Sequence, residues 1–414
     1  MKKILSVVLT IALVLGMCAA FSACGSDNAD KGKSADNKDV KIGVILVGDE
    51  NEGYSYAHIE GIKKAAKELN IPDENIMWKY SVGEDESCHD AAIDLVDKGC
   101  TAVFANSYGH QSYIQQAAQE VPEVTFVSMT GDTAKKSGLP NFCNAFTGIY
   151  EARYVSGVVA GMKLAELVKN NELTAKNYDG ENIKIGYVGA YPYAEVVSGY
   201  TAFYLGVKSV VENVVMDVTY TNSWFDITAE GEAANSLVAS GCVIIGQHAD
   251  STGAPAAVQA LNESGTVCYS IGYNVDMLSV APKAALTSAT NNWAVYYKYA
   301  FGQLLKGEKI ETNWSEGYKT DAVGITKLGE SAAEGTQEKV DEVVKAIKED
   351  KLHVFDTKTF TVDGKEVTTA FATDTDGDFK PDKDEAIIDG YFHESYYQSA
   401  PCFTLRIDGI RELN

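Results

Sequence analysis

Aromatic rings, amides, hydroxyls and carboxylates recur immediately after short apolar runs of this chain. Asp49, Asn51, Gly53, Tyr54 and Tyr56 follow Val40–Gly48. Asn106, Ser107 and Tyr108 close the run that opens at Thr101, and Tyr191 and Tyr193 follow Gly189. Trp224, Phe225 and Asp226 follow Thr221; His248, Asp250 and Ser251 follow Gln247; Tyr273, Asn274 and Asp276 follow Gly272; Asn291, Asn292 and Trp293 follow Thr290. Rings offer stacking faces, and amide and carboxylate tips offer edge hydrogen bonds. A cleft lined by both suits a flat heteroaromatic guest. The candidate ligand-binding residues are Tyr54, Asn106, Ser107, Tyr108, Tyr191, Trp224, His248, Asp250, Tyr273, Asn274, Asp276 and Trp293.

The same inventory argues against catalysis. A nucleophilic triad needs Ser or Cys beside His and a carboxylate, but no GxSxG elbow is present and the six histidines are scattered. No GxxxxGK[ST] phosphate loop occurs, so the chain does not itself hydrolyse nucleoside triphosphates. No cofactor motif and no zinc or redox CxxC spacing is found. Asp374, Asp376, Asp378, Asp382 and Glu385 imitate the spacing of a calcium loop, but Phe379 stands where the sharp turn requires glycine. We read this stretch as a solvated turn and expect no metal site.

Two layers of repeated elements must hold the candidate residues. From Val40, apolar runs of strand length alternate with helical patterns; Ile59, Ile62, Ala66 and Leu69 recur at helical spacing, and Pro72 ends that helix. Strand–helix alternation continues to Met129, a long helix spans about 150–167, and the alternation restarts at Ile183 and runs to Thr290. Such alternation predicts parallel sheets covered on both faces, and in open sheets of this kind ligands sit at the carboxyl ends of the strands. The expected fold is therefore α/β, with two doubly wound parallel-sheet lobes. The first covers 40–148 with part of 286–330, the second 149–285. Residues 331–414 are expected to pack across both.

The remaining properties bound the setting. The chain has 414 residues, a net charge of −23, 45% hydrophobic and 22% charged residues. That acidity excludes nucleic-acid backbone binding. Lys2 and Lys3 precede an apolar run, Ile4–Met17, which is short for a membrane span, and Phe21–Ser22–Ala23–Cys24 resembles a bacterial lipobox. Residues 1–23 read as a signal peptide, Cys24 as a lipidated anchor and 24–39 as a polar tether. The expected location is outside the cytoplasm, held at the membrane by Cys24. Of the other cysteines, Cys100, Cys242 and Cys268 lie in or beside apolar runs and read as buried thiols.

Several blocks carry a resemblance. Arg153–Gly161 (RYVSGVVAG), Ser223–Asp226 (SWFD), Gln247–Ser251 (QHADS), Asn292–Tyr297 (NWAVYY), Ser395–Phe403 (SYYQSAPCF) and Leu405–Ile410 (LRIDGI) resemble the basic membrane protein family of substrate-binding lipoproteins. The resemblance implies a type I periplasmic-binding-protein architecture with a hinge, a small-molecule ligand, and partnership with an ABC permease and its ATPase. It further implies a purine base or nucleoside as ligand. The nucleoside-binding branch has an Asp pair near Gly272 and a Lys after Leu286–Ser288; here Asp276 is kept, but Asn274 and Asn291 stand at the other places. Loss of those sugar-binding charges favours a free, adenine-like base. The alternatives are another heteroaromatic ligand such as riboflavin, or a sensor that signals to a membrane partner.

Overall fold

The computed structural model describes residues 40–414. Residues 1–39, where a signal peptide, a lipidated Cys24 and a polar tether are expected, lie outside the described residues. No helix among the described residues is long and apolar enough to cross a membrane.

The first sheet is built from β1 (Ile42–Ile45), β2 (Ile76–Lys79), β3 (Ala102–Ala105), β4 (Thr125–Met129) and β5 (Phe142–Ala145), with helices α1 (Gly53–Leu69), α2 (Glu86–Asp97) and α3 (Gln111–Glu120) between them. The second uses β6 (Asn182–Gly189), β7 (Val214–Tyr220), β8 (Ile244–His248), β9 (Tyr269–Tyr273) and β10 (Ala285–Asn291). Its helices are α4 (Ile149–Lys169), α5 (Ala194–Lys208), α6 (Ile227–Ala239) and α7 (Gly253–Glu263). Then come α8 (Trp293–Lys306), β11 (Asn313–Trp314), β12 (Val323–Ile325) and α9 (Thr336–Lys348).

Both sheets repeat one strand order. The first runs β11-β5-β4-β3-β1-β2, all parallel. The second runs β12-β10-β9-β8-β6-β7, parallel except for the antiparallel edge strand β12, and a last strand, β17 (Ile410–Glu412), pairs parallel to β7. The order reverses between β1 and β3 in one sheet and between β6 and β8 in the other. Those switch points open crevices at the strands' carboxyl ends. The chain passes between the sheets after β5, after β10 and after β11. Strand β10, expected at the lobe boundary, belongs to the second sheet, whereas α8 packs on α1 of the first.

The strands read as continuous apolar runs because both faces are covered: every residue of β1, β3, β5 and β8 is buried. Helix α4 is buried almost all round, because it packs against α5 and the second sheet. Two glycines allow that approach: a Cβ on Gly157 would sit 2.1 Å from the Phe203 carbonyl oxygen, and one on Gly206 2.1 Å from that of Tyr154. The six cysteines of the described residues are free and buried.

The last segment is mostly irregular, with two short antiparallel pairs: β13 (Phe371–Thr373) with β14 (Lys383–Glu385), and β15 (Ile387–Ile388) with β16 (Tyr391–Phe392). It touches both lobes. Ala400 N and Ser399 Oγ each donate to the Gly131 carbonyl at 3.2 Å, and Leu413 N donates to Val218 O at 2.8 Å. Strand β17 carries no signal in the sequence that would mark it as a strand.

Candidate functional site

The carboxyl ends of the two sheets converge on a small cavity of about 30 Å³. From the first lobe it is lined by Val47, Tyr54, Asn106, Ser107, Tyr108 and Thr130. From the second come Glu195, Trp224, His248, Asp250 and Tyr273. Most lie within a few residues of a strand end, where the reversal of strand order leaves room, and Tyr54 and Glu195 sit in the first turn of the helix that follows.

The first wall is a fixed scaffold. Buried Asn106 accepts from Val47 N at 2.8 Å and donates through Nδ2 to Ser55 Oγ at 3.1 Å, tying β1, β3 and α1 together. Glu52 caps α1, accepting from Tyr54 N and Ser55 N at 2.7 Å each. Tyr54 is thereby placed so that its hydroxyl donates to Asn106 O at 2.8 Å, with Thr130 Oγ1 at 3.2 Å. Ser107 Oγ donates to Glu84.

The second wall is electrostatically tuned. Glu195 Oε1 lies 3.3 Å from His248 Nε2. Burial pushes the Glu195 carboxyl up to about 7, with Arg153 opposing, and drives His248 well below its ordinary value. Asp250 accepts from Asn274 Nδ2 at 2.7 Å, and Asn274 Oδ1 accepts from Asn291 Nδ2 at 3.0 Å. Burial, then the nearby carboxylates Glu52, Glu230 and Glu195, raise Asp250 well above the carboxylate range. Beneath them the Arg153 guanidinium sits 3.6 Å from the Tyr273 ring centroid and donates to Gln247 O at 2.5 Å. Near neutrality this cavity presents a neutral imidazole, acidic groups and ring faces. That set favours a flat, uncharged guest with N–H edges.

Of the expected residues, Tyr54, Asn106, Ser107, Tyr108, Trp224, His248, Asp250 and Tyr273 come together here. Four do not line the cavity. Trp293 begins α8 and is buried against α1, where it stacks on His58 at 4.1 Å. Asp276 is exposed and caps Leu278 N at 2.8 Å. Asn274, left-handed at φ 61°, supports Asp250 from behind, and Tyr191 backs Trp224 edge-on at 5.2 Å. Sequence reasoning missed Val47, Thr130 and Glu195. Glu195 lies in the first turn of α5, and the helix's entry angle turns that turn toward the cleft.

The acidic loop does bring Asp374, Asp376 and Asp382 close together, but Phe379 occupies the glycine position at φ 63°. Asp374 is engaged by the loop itself, accepting from Gly377 N and Phe379 N.

Two doubly wound lobes, three chain crossings and a cleft at paired switch points define a type I periplasmic solute-binding fold. A solute-binding protein of Conexibacter woesei superposes with a TM-score of 0.58 at 18% identity, covering 76% of this chain and 98% of that one. The chain belongs to the family described as ABC transporter substrate-binding protein PnrA-like, which it matches over residues 39–358. It is 30% identical over 287 residues to a purine-binding protein of Brucella abortus, covering 69% of this chain and 72% of that one. It is 26% identical over 335 residues to a putative ABC transporter glucose-binding protein of Haloferax volcanii, covering 80% and 77%. The family is one of solute-binding proteins that serve ABC transporters outside the cytoplasm.

Proposed function

We propose that this protein captures a purine base or nucleoside, an adenine-like base above all, in the interlobe cleft and delivers it to an ABC permease. The observation that carries this reading is the pairing of ring faces (Tyr54, Tyr108, Trp224, Tyr273) with hydrogen-bonding groups (Glu195, Asp250, His248) around one cavity. An adenine edge offers N–H donors and ring-nitrogen acceptors to such groups, and its two faces suit aromatic walls. The cavity at about 30 Å³ is far below the roughly 300–1,000 Å³ of occupied ligand pockets. The ring therefore enters an opened form, and the lobes close on it. We further propose that Cys24 carries the lipid anchor.

The purine-binding relative supports the ligand class, and the glucose-binding relative supports a sugar as second reading. A thermal-shift panel of adenine, adenosine, inosine, riboflavin and glucose separates them, since tight binding raises the melting temperature by mass action. A shift with adenine exceeding that with adenosine supports the reading; a shift with glucose or riboflavin alone overturns it. Mass spectrometry after incubation with adenosine should return the intact nucleoside.

A further inference from the structure

A second cavity, of about 790 Å³, lies against the outside of the cleft. Tyr108, Thr130, Glu195 and Trp224 line both spaces, so the two adjoin across these four side chains. Its outer wall comes from residues 372–406, beyond residue 358 where the family match ends. That wall is pinned from both lobes. On one side lie the bonds to Gly131; on the other, Arg406 pairs at 2.8 Å with Glu412, which accepts from the Tyr200 and Tyr220 hydroxyls at 2.7 and 2.6 Å.

Pro192, Tyr193, Phe379, Pro381, Ala400 and Pro401 give this outer space an apolar stretch of wall, with Lys136, Asp374, Lys380 and Arg406 among its charged rim. Phe379 is 65% exposed, yet its ring stacks on Tyr193 at 6.0 Å rather than lying in the core. Its backbone holds the left-handed conformation that bulky residues rarely adopt. Tyr193 in turn stacks on Tyr191 at 5.1 Å, which meets Trp224. A run of ring faces thus leads outward from the cleft. The volume falls in the range of occupied small-molecule sites.

We propose that this outer cavity is a second subsite, which takes an apolar or aromatic arm carried by the ring held in the cleft. The inference rests on the reading that the cleft holds a flat ring. The cargo class it assigns is a heteroaromatic base bearing a hydrophobic substituent, for which the C-terminal extension supplies the specificity.

Titration calorimetry of the full chain with matched pairs tests this: adenine against N6-benzyl- and N9-benzyladenine, and lumichrome against a benzyl-substituted alloxazine. One benzylated compound should bind about tenfold tighter than its bare ring. Phe379→Ala, at an exposed position, should remove most of that gain and leave the bare ring within about twofold. Thr404→Trp, which fills the outer cavity, should abolish the gain. Equal binding of bare and armed compounds overturns the subsite while leaving the purine reading intact. Binding of the alloxazine pair alone, with the gain, overturns the purine reading and keeps the subsite. Equal weakening of both members by Phe379→Ala would place the ring itself outside the cleft and overturn the two-part arrangement. No binding by any pair overturns both.

Discussion

Glu195 Oε1 lies 3.3 Å from Nε2 of His248, and the two side chains are 14% and 1% exposed at the switch point of the second sheet. Glu195 enters from the first turn of α5, after β6, and His248 ends the adjacent β8. The contact is thus made by the reversal in strand order, and it couples a carboxyl to an imidazole that burial keeps neutral.

Glu195 titrates near 7, so ligand affinity should depend on pH around neutrality. Arg153, Asp250, Tyr273 and His248 surround it; Asp250 is shifted well above the carboxylate range and His248 well below the usual imidazole value. A ligand N–H donates more strongly to a carboxylate than to a carboxylic acid. Adenine should therefore bind more tightly at pH 8 than at pH 6, by about three- to tenfold. In Glu195→Gln the profile should be flat. Calorimetry at both pH values checks this, and an unchanged slope in the variant would remove Glu195 from ligand contact.

Trp224 is half-buried at the cavity, backed by Tyr191 and by Asp250 N, which donates to its carbonyl at 2.8 Å. That backbone bond survives truncation of the ring. Trp224→Ala should weaken adenine binding by about 10- to 100-fold, the loss expected of one base-stacking face. The free protein should keep its melting temperature to within a few degrees. A thermal-shift titration with and without ligand separates the two effects.

A Cβ on Gly199 would lie 2.6 Å from Nδ1 of His248. The imidazole is fixed by Glu195 on one edge and by Tyr273, edge-on at 4.9 Å, on its face. Gly199→Ala should destabilise the fold by about 1–3 kcal/mol through overpacking, despite alanine's better helix propensity. Because the clash has one partner, adding His248→Ala should recover part of the loss. Urea melts of both single variants and the double variant measure that coupling.

Burial raises Glu151, Glu195 and Glu230 to about 7 and Glu394 to about 8. Each folded carboxyl holds its proton above the pH at which the unfolded chain releases it. Their contribution therefore falls as pH rises from the unfolded value near 4.5 through 7 to 8. Buried His58, His110 and His248 are shifted downward and act oppositely, weakening the fold as pH drops below about 6.5. The two trends partly cancel below 6.5, so the melting temperature of the free protein should fall mainly between pH 6.5 and 8. Glu394→Gln should flatten the upper end of that fall, its amide oxygen still able to accept from Cys402 N, which lies 2.7 Å from Glu394 Oε1. Calorimetric scans across this range test the prediction.

The legible part of this protein is local. Apolar strand runs and helical periodicity require covering on both faces, so Val40–Gly48, Thr101–Asn106 and Ile183–Gly189 declared parallel sheets, and the polar residues just after them marked the strand ends. Other features depend on how helices enter and cross. Trp293 looked like a strand-end ring, but α8 buries it against α1; Glu195 was not among the expected site residues, yet α5 aims it at His248. Ile410–Glu412 is too short to announce a strand and becomes one only because β7 offers an open edge. The sequence alone determined two α/β units and a set of ring and acceptor groups at their strand ends. Tertiary structure decided which of those groups share a cavity, because side-chain direction is set by helix packing and strand order rather than by residue type.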